Sequence, residues 1–188
     1  MKELEDRILK DGVVLPGDVL KVGSFLNQQI DTNLLKRMAQ EIKEAFPCKV
    51  DKVLTIEASG LPFATAVAME YDIPMTYAKK HKSSNMSGDC YTAEVFSFTH
   101  QQKYTIALSK DYLKENENVL IVDDFLATGN AIYGLMDIVE QAKVNIVGCG
   151  IQIEKGFQGG GDQLRKKGIK VESLAIIESL EPGNIKFR

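Results

Sequence analysis

From Val119 the chain reads Val-Leu-Ile-Val-Asp-Asp-Phe-Leu-Ala-Thr-Gly-Asn-Ala, and this stretch narrows the possible folds more than any other. Val119 to Val122 is a continuous apolar run, as expected of a strand covered on both faces inside a parallel sheet. Two acids, Asp123 and Asp124, stand at its end. A short turn follows, and then a helical pattern over Ala131–Ala142 with Ile132, Leu135, Met136 and Val139 on one side. In parallel α/β sheets, ligands sit outside the carboxyl ends of the strands. The first N–H groups of a helix lack intrahelical partners and carry the positive end of its dipole, so such a turn suits a phosphate. Gly129 lets backbone approach an anion, Asn130 tolerates left-handed conformations, and Thr128 adds a hydroxyl donor. Carboxylates repel phosphate, so Asp123 and Asp124 should face ribose hydroxyls or a Mg2+ with its waters. A sugar phosphate satisfies both halves. The bland alternative is an Asp pair that merely ends a strand and caps a turn.

The flanking sequence supplies the rest of such a sheet. Leu34, Leu35, Met38, Ile42 and Phe46 recur at helical spacing behind a cap pair, Asp31-Thr32. Strands are predicted over Val53–Ile56, Met75–Ala78, Asn145–Ile153 and Val171–Ile177, and helices over Leu61–Tyr71 and Asp162–Lys167. Tyr91–Phe98 and Tyr104–Leu108, rich in aromatic and β-branched residues, read as a β-hairpin-like excursion. Strand–helix–strand alternation implies a mostly parallel twisted sheet flanked by helices. The first thirty or so residues do not fit that alternation. They read as a small hood lobe packed with C-terminal residues over the sheet.

Composition excludes several function classes. At about 150 residues per domain, 188 residues predict one domain over 1–188. A net charge of −3 argues against a nucleic-acid or anionic-membrane binder. No apolar run approaches the roughly 18 residues that span a bilayer, and the charged N-terminus is not a signal peptide. Cys48, Cys90 and Cys149 are scattered, odd in number and outside any C-x-x-C pattern, which reads as reduced thiols in a cytosolic protein.

The apolar strand, two acids and small-Thr-Gly turn resemble the 5-phospho-α-D-ribose 1-diphosphate (PRPP) motif of type I phosphoribosyltransferases. That family usually continues with a second glycine and a threonine, where this chain has Asn130 and Ala131. Gly12–Leu15, Val19–Val22, Ser24–Asn27, Thr55–Gly60, Lys79–Ser83 and Ile153–Lys155 extend the resemblance along nearly the whole chain, to the bacterial xanthine phosphoribosyltransferase family. The resemblance implies the type I phosphoribosyltransferase fold. It also implies a cytoplasmic homodimer of purine salvage that makes xanthosine 5′-monophosphate (XMP) from xanthine and PRPP with Mg2+ carried by PRPP, not held directly by the protein.

The same resemblance assigns roles to single residues. Asp123 and Asp124 are the catalytic carboxylates, and Ala127, Thr128, Gly129, Asn130 and Ala131 anchor the 5′-phosphate of PRPP. Ser59 and Gly60 belong to a pyrophosphate-binding loop, joined by Lys79, Lys80 and Lys82, whose cations suit a multiply charged leaving group. Read alone, Ser59 is equally an ordinary helix cap and the lysine run a solvated face. Residues 83–90 are polar and suggest a lid that excludes water. Leu20, Asn27 and Lys155 read the base: Lys155 donates to a purine carbonyl, which disfavours adenine, Asn27 addresses the 2-position, and Leu20 covers a ring face. Gly159-Gly160-Gly161 lacks phosphate-loop spacing and reads as a flexible turn capped by Asp162. The rival functions are the same transfer to guanine or hypoxanthine, a non-catalytic PRPP-sensing regulator, and a phosphoacceptor receiver-type domain.

Overall fold

A computed structural model describes residues 1–80, 89–97 and 102–188. Its centre is a six-stranded sheet. Four of the strands come from the buried runs of the sequence: β3 (Lys52–Ile56), β4 (Met75–Ala78), β7 (Asn118–Leu126) and β8 (Asn145–Lys155). They are joined by β9 (Val171–Glu181) and β10 (Asn184–Phe187), in the order β10-β9-β8-β7-β3-β4. All neighbours are parallel except β10, which runs antiparallel to β9.

Helices α2 (Thr32–Ala45) and α3 (Leu61–Tyr71) cover one face, burying Leu34, Met38, Ile42, Phe63 and Val67. The Asp31 carboxylate accepts from the Leu34 N–H at 3.1 Å, so the predicted cap is formed. The other face is covered by α4 (Asn130–Ala142) and by a two-stranded antiparallel hairpin, β5 (Cys90–Ser97) with β6 (Gln102–Ser109). The short helix α5 (Gly160–Lys166) leads into β9.

The hood comprises α1 (Lys2–Asp11), the antiparallel pair β1 (Val13–Leu15) and β2 (Val19–Lys21), and a π-helical turn over Gly23–Asn27. Leu4, Ile8, Leu20, Val22 and Phe25 are buried in one cluster with Leu174, Ala175 and Ile177 of β9, and the N-terminal ammonium donates to the Leu174 carbonyl. The hood is therefore seated on the C-terminal strand, in agreement with the sequence reading.

Three elements differ from expectation. Strand β7 does not stop before the acids: its pairing with β8 continues through Asp123↔Ile151 and Phe125↔Ile153, because Phe125 and Leu126 resume the apolar run. Strand β10 was not predicted, although Pro182-Gly183 before an alternating Asn-Ile-Lys-Phe is a hairpin signal. The π-helical turn has no local signal of that kind. Phe98, His81, Lys82 and most of the proposed lid (83–88 of 83–90) lie outside the described residues.

The order of the strands fixes where a ligand enters. After β3 the chain crosses through α3, on one face, to β4 at one edge; after β7 it crosses through α4, on the other face, to β8. Strands β3 and β7 are neighbours whose connections diverge, and this topological switch point opens a crevice at their carboxyl ends.

Candidate active site

Two segments meet at that crevice. The turn after β3 carries Glu57-Ala58-Ser59-Gly60, with a cis Glu57–Ala58 peptide. Ser59 Oγ donates to Asp124 Oδ1 at 3.0 Å. It does not cap α3, whose cap residue is Gly60 with no side-chain bond. Gly60 lies against the other acid: a Cβ there would stand 2.7 Å from Asp123 Oδ1 and 2.4 Å from Thr55 Oγ1. Only glycine fits this approach. Sequence spacing put Ser59, Gly60, Asp123 and Asp124 on separate elements; the sheet brings them into one constellation.

The acids are 4% and 6% exposed, so each is held in a largely dry setting. Burial first, and the Asp124 carboxylate second, push Asp123 well above its ordinary value of 3.8, while the Lys80 ammonium acts in the opposite direction. A carboxyl whose folded pKa is raised stabilises the fold while protonated. That contribution is lost as pH rises from 3.8 through the raised value. In the absence of ligand, Asp123→Asn is accordingly expected to be less sensitive than the parent to rising pH above 3.8. Melting temperatures across a pH series test this, and parallel curves would contradict it.

Cations gather at the end of β4. Lys79 exchanges two 2.9 Å backbone hydrogen bonds with Ala107 of the hairpin, and Lys80 N–H donates to Glu57 Oε1 at 2.8 Å. The Lys80 ammonium stands 5.6 Å from the Tyr104 ring centroid. The turn after β3, the lysine pair and the hairpin are thus one connected wall.

On the other side of β7, Ala127–Gly129 turn the chain into α4. Gly129 has φ +90°, a conformation that favours glycine, and serves as the helix N-cap. Together with Val95, Phe96 and Tyr104 of the hairpin, the turn and the first residues of α4 line a cavity of about 160 Å³. The turn rests on α5. Gly160 N–H donates to the Ala127 carbonyl at 3.1 Å. A Cβ on Gly160 would come within 2.3 Å of that oxygen and 2.7 Å of the Gly129 nitrogen. The glycine run is therefore a packed buttress and not a flexible turn. Asp162 does not cap it, since that carboxylate pairs with Arg165 and Arg188.

At the end of β8, Lys155 Nζ donates to the Asp18 carbonyl at 2.7 Å and stands 5.7 Å from the Phe125 ring centroid. Burial draws its pKa down, against the pull of Asp18. Leu20 is buried in the hood beside Gly12. Asn27 is exposed at the end of the π-helical turn. Phe125 and the Asp18 carbonyl were not singled out from sequence. Phe125 sits inside the most informative string, whereas a backbone carbonyl leaves no trace in side-chain chemistry.

Residues 21–179 match the phosphoribosyl transferase domain family. The chain belongs to the phosphoribosyltransferase family. It is 50% identical over 190 residues to a xanthine phosphoribosyltransferase of Clostridioides difficile, with all of both chains covered. It is also 50% identical over 192 residues to one of Bifidobacterium adolescentis, again over both full lengths. Among solved structures it is similar to an adenine phosphoribosyltransferase of Giardia lamblia complexed with 9-deazaadenine (TM-score 0.79, 22% identity, 94% of this chain and 98% of that one). One from Leishmania tarentolae gives a TM-score of 0.77 at 18% identity, over 96% and 90% of the two chains. At those identities the likeness to the solved structures is one of fold.

Within this phosphoribosyltransferase the buttress has its own support. Glu154, fully buried, accepts from both terminal nitrogens of Arg165 at 2.9 and 2.7 Å and from the Ser173 hydroxyl, and its carboxylate lies against Gly161. Arg165→Met strands that carboxylate, at a cost of about 3–5 kcal/mol. At roughly 2–4 °C per kcal/mol for a chain of this size, Tm should fall by about 10 °C. Glu154→Leu with Arg165→Met should lose less than the single variant; a larger loss would contradict the stranded-charge explanation.

Proposed function

We propose that the chain transfers the 5-phosphoribosyl group of PRPP to a ring nitrogen of xanthine, giving XMP and pyrophosphate. The observation that carries this reading is the constellation at the β3–β7 switch point: two buried acids, a glycine-bounded helix N-terminus beside them, and the Lys79–Lys80 pair at the end of β4, whose Lys80 ammonium acts on Asp123. The C1–oxygen bond to pyrophosphate breaks, the C1–nitrogen bond forms, and the sugar passes through an oxocarbenium-like state. Asp123 and Asp124 hold the ribose hydroxyls and stand near the developing positive charge. Ala127, Thr128, Gly129, Asn130 and Ala131 seat the 5′-phosphate, and Ser59, Gly60, Lys79 and Lys80 face the pyrophosphate. Lys82 is given the same role by the family resemblance. No covalent nucleophile is needed, because binding both ends of PRPP presents C1 to the base in a fixed orientation.

Mg2+ fits this donor set as a passenger of the substrate. Mg2+ commonly keeps several waters and is held through substrate phosphates, so on this reading PRPP would bring it into the crevice while Asp123 and Asp124 serve the ribose hydroxyls. When bound, it neutralises charge on the leaving pyrophosphate.

At the base end, Lys155 offers a donor to a purine carbonyl, Phe125 offers a ring face, and Leu20 and Asn27 bring the hood to the other side. A donor at that position faces the amine of adenine unfavourably. Guanine or hypoxanthine as acceptor is the second reading, since Lys155 alone does not separate the oxopurines. Pyrophosphate release with PRPP and Mg2+ is expected with xanthine and not with adenine. Equal rates with guanine or hypoxanthine would favour the second reading, and binding of PRPP without turnover of any base would mark a PRPP sensor. Lys155→Ala should raise KM for xanthine about tenfold or more, as expected for loss of a charged hydrogen bond, with KM for PRPP little changed. We also assign the chain to a cytoplasmic homodimer. A native mass twice 20.8 kDa supports the dimer and a mass of 20.8 kDa opposes it. No helix of the described residues is long and apolar enough to cross a membrane.

A further inference from the structure

Asn130 stands where the family resemblance expects a phosphate-loop glycine, and its side chain is used for something else. Its Nδ2 donates to the Phe96 carbonyl of β5 at 3.0 Å. The backbone of Asn130 thus belongs to the phosphate turn while its amide grips the hairpin. Further along the same face of α4 the hairpin is seated twice more. A Cβ on Gly134 would lie 2.4 Å from Val95, and Gln141 Nε2 donates to the Thr92 carbonyl at 2.8 Å. The other strand of the hairpin holds the cationic end of the crevice, through the Lys79–Ala107 backbone pair and the Lys80 ammonium over Tyr104.

We propose that the β5–β6 hairpin is a mechanical bridge between the two anion sites of the crevice and that Asn130 is its pin at the 5′-phosphate end. On this inference, which rests on the phosphoribosyltransferase reading of the site, Asn130 is a positioning residue. Its amide touches neither anion. It sets where β5 lies, β6 is paired to β5, and β6 places Lys79 and Lys80. Occupation of the phosphate turn therefore orders the lysines that meet pyrophosphate, and by linkage pyrophosphate tightens the turn by the same factor.

The test is binding of inorganic pyrophosphate, measured calorimetrically with and without saturating ribose 5-phosphate, to the parent, Asn130→Ala, Tyr104→Leu and the double variant. Loss of one neutral hydrogen bond predicts that Asn130→Ala weakens pyrophosphate binding about three- to tenfold, although position 130 lies at the opposite end of the crevice. The tightening by ribose 5-phosphate should shrink towards unity in Asn130→Ala. Tyr104→Leu should have a similar effect, and the double variant should lose less than the product of the two. If Asn130→Ala weakens ribose 5-phosphate alone and leaves pyrophosphate binding and its tightening unchanged, Asn130 acts only on the local phosphate and the bridge is refuted. Multiplicative losses in the double variant would likewise refute it. Should Asn130→Ala lower Tm by more than a few degrees, Asn130→Gly provides the same comparison with the residue type that the family pattern carries there. Failure of the underlying reading has a separate signature: the parent itself would bind neither anion.

Discussion

Asp124→Asn is expected to lower kcat for phosphoribosyl transfer by about 10²–10³-fold, the loss typical when one preorganised electrostatic partner of a transition state is removed. The exchange preserves size and one oxygen, so the Ser59 hydroxyl, now 3.0 Å from Asp124 Oδ1, keeps an acceptor. What disappears is a negative charge in a site where only 6% of the residue is open to solvent. Little water screens such a charge, so its effect on a nearby oxocarbenium-like carbon is large. In the ground state the ribose hydroxyls still find an amide oxygen, so KM for PRPP should change much less than kcat. Removing a buried carboxylate next to another relieves repulsion, so Tm should hold or rise. Steady-state kinetics and a melting curve on the same preparation separate these effects. A kcat within threefold of the parent would remove Asp124 from the chemistry.

Gly160→Ala is the second large effect, and it comes from sterics. The new methyl would lie 2.3 Å from the Ala127 carbonyl oxygen, 2.6 Å from the Thr128 carbonyl carbon and 2.7 Å from the Gly129 nitrogen. All three are backbone atoms of the turn that leads into α4, so no side chain can rotate away to make room. The turn must move off α5, and its N–H groups then lose the common aim that the proposed 5′-phosphate seat requires. Misplacement of a binding group by an ångström can cost about a hundredfold in rate. We therefore expect kcat/KM for PRPP to fall by roughly that factor, with thermal stability reduced by overpacking of about 1–3 kcal/mol. Gly168→Ala is the contrasting case: that glycine also lies in the α5–β9 region, but a Cβ there meets nothing within 4 Å, although its φ of +82° strains any side chain. If Gly160→Ala retained parental affinity for ribose 5-phosphate, the buttress would have no part in shaping the turn.

The sequence carried most of the sheet because its buried strands are short apolar runs bounded by polar turns, and Val53–Ile56 and Val119–Val122 show this plainly. The acids and the turn that follows them were legible as one candidate site for a further reason: they are contiguous, so their chemistry appears in one string. What escaped is what contiguity cannot convey. That Ser59 serves Asp124 and Gly60 admits Asp123 depends on β3 and β7 lying side by side, a pairing between residues more than sixty positions apart. The role of Gly160 depends on a helix folding back under a turn thirty residues upstream, and glycine spacing alone reads as a loop. Lys155 was legible as a cation, but its restraint by the Asp18 carbonyl was not, because any residue type offers that atom. The grip of Asn130 on Phe96 is of the same kind.

The most direct measurement is a crystal structure of the protein with XMP and pyrophosphate. The nucleotide's 5′-phosphate should lie against the backbone N–H groups of residues 128–131, with its ribose hydroxyls on Asp123 and Asp124 and its base between Phe125 and the hood. A nucleotide seated elsewhere, with these carboxylates turned from the sugar, would contradict the assignment of the crevice.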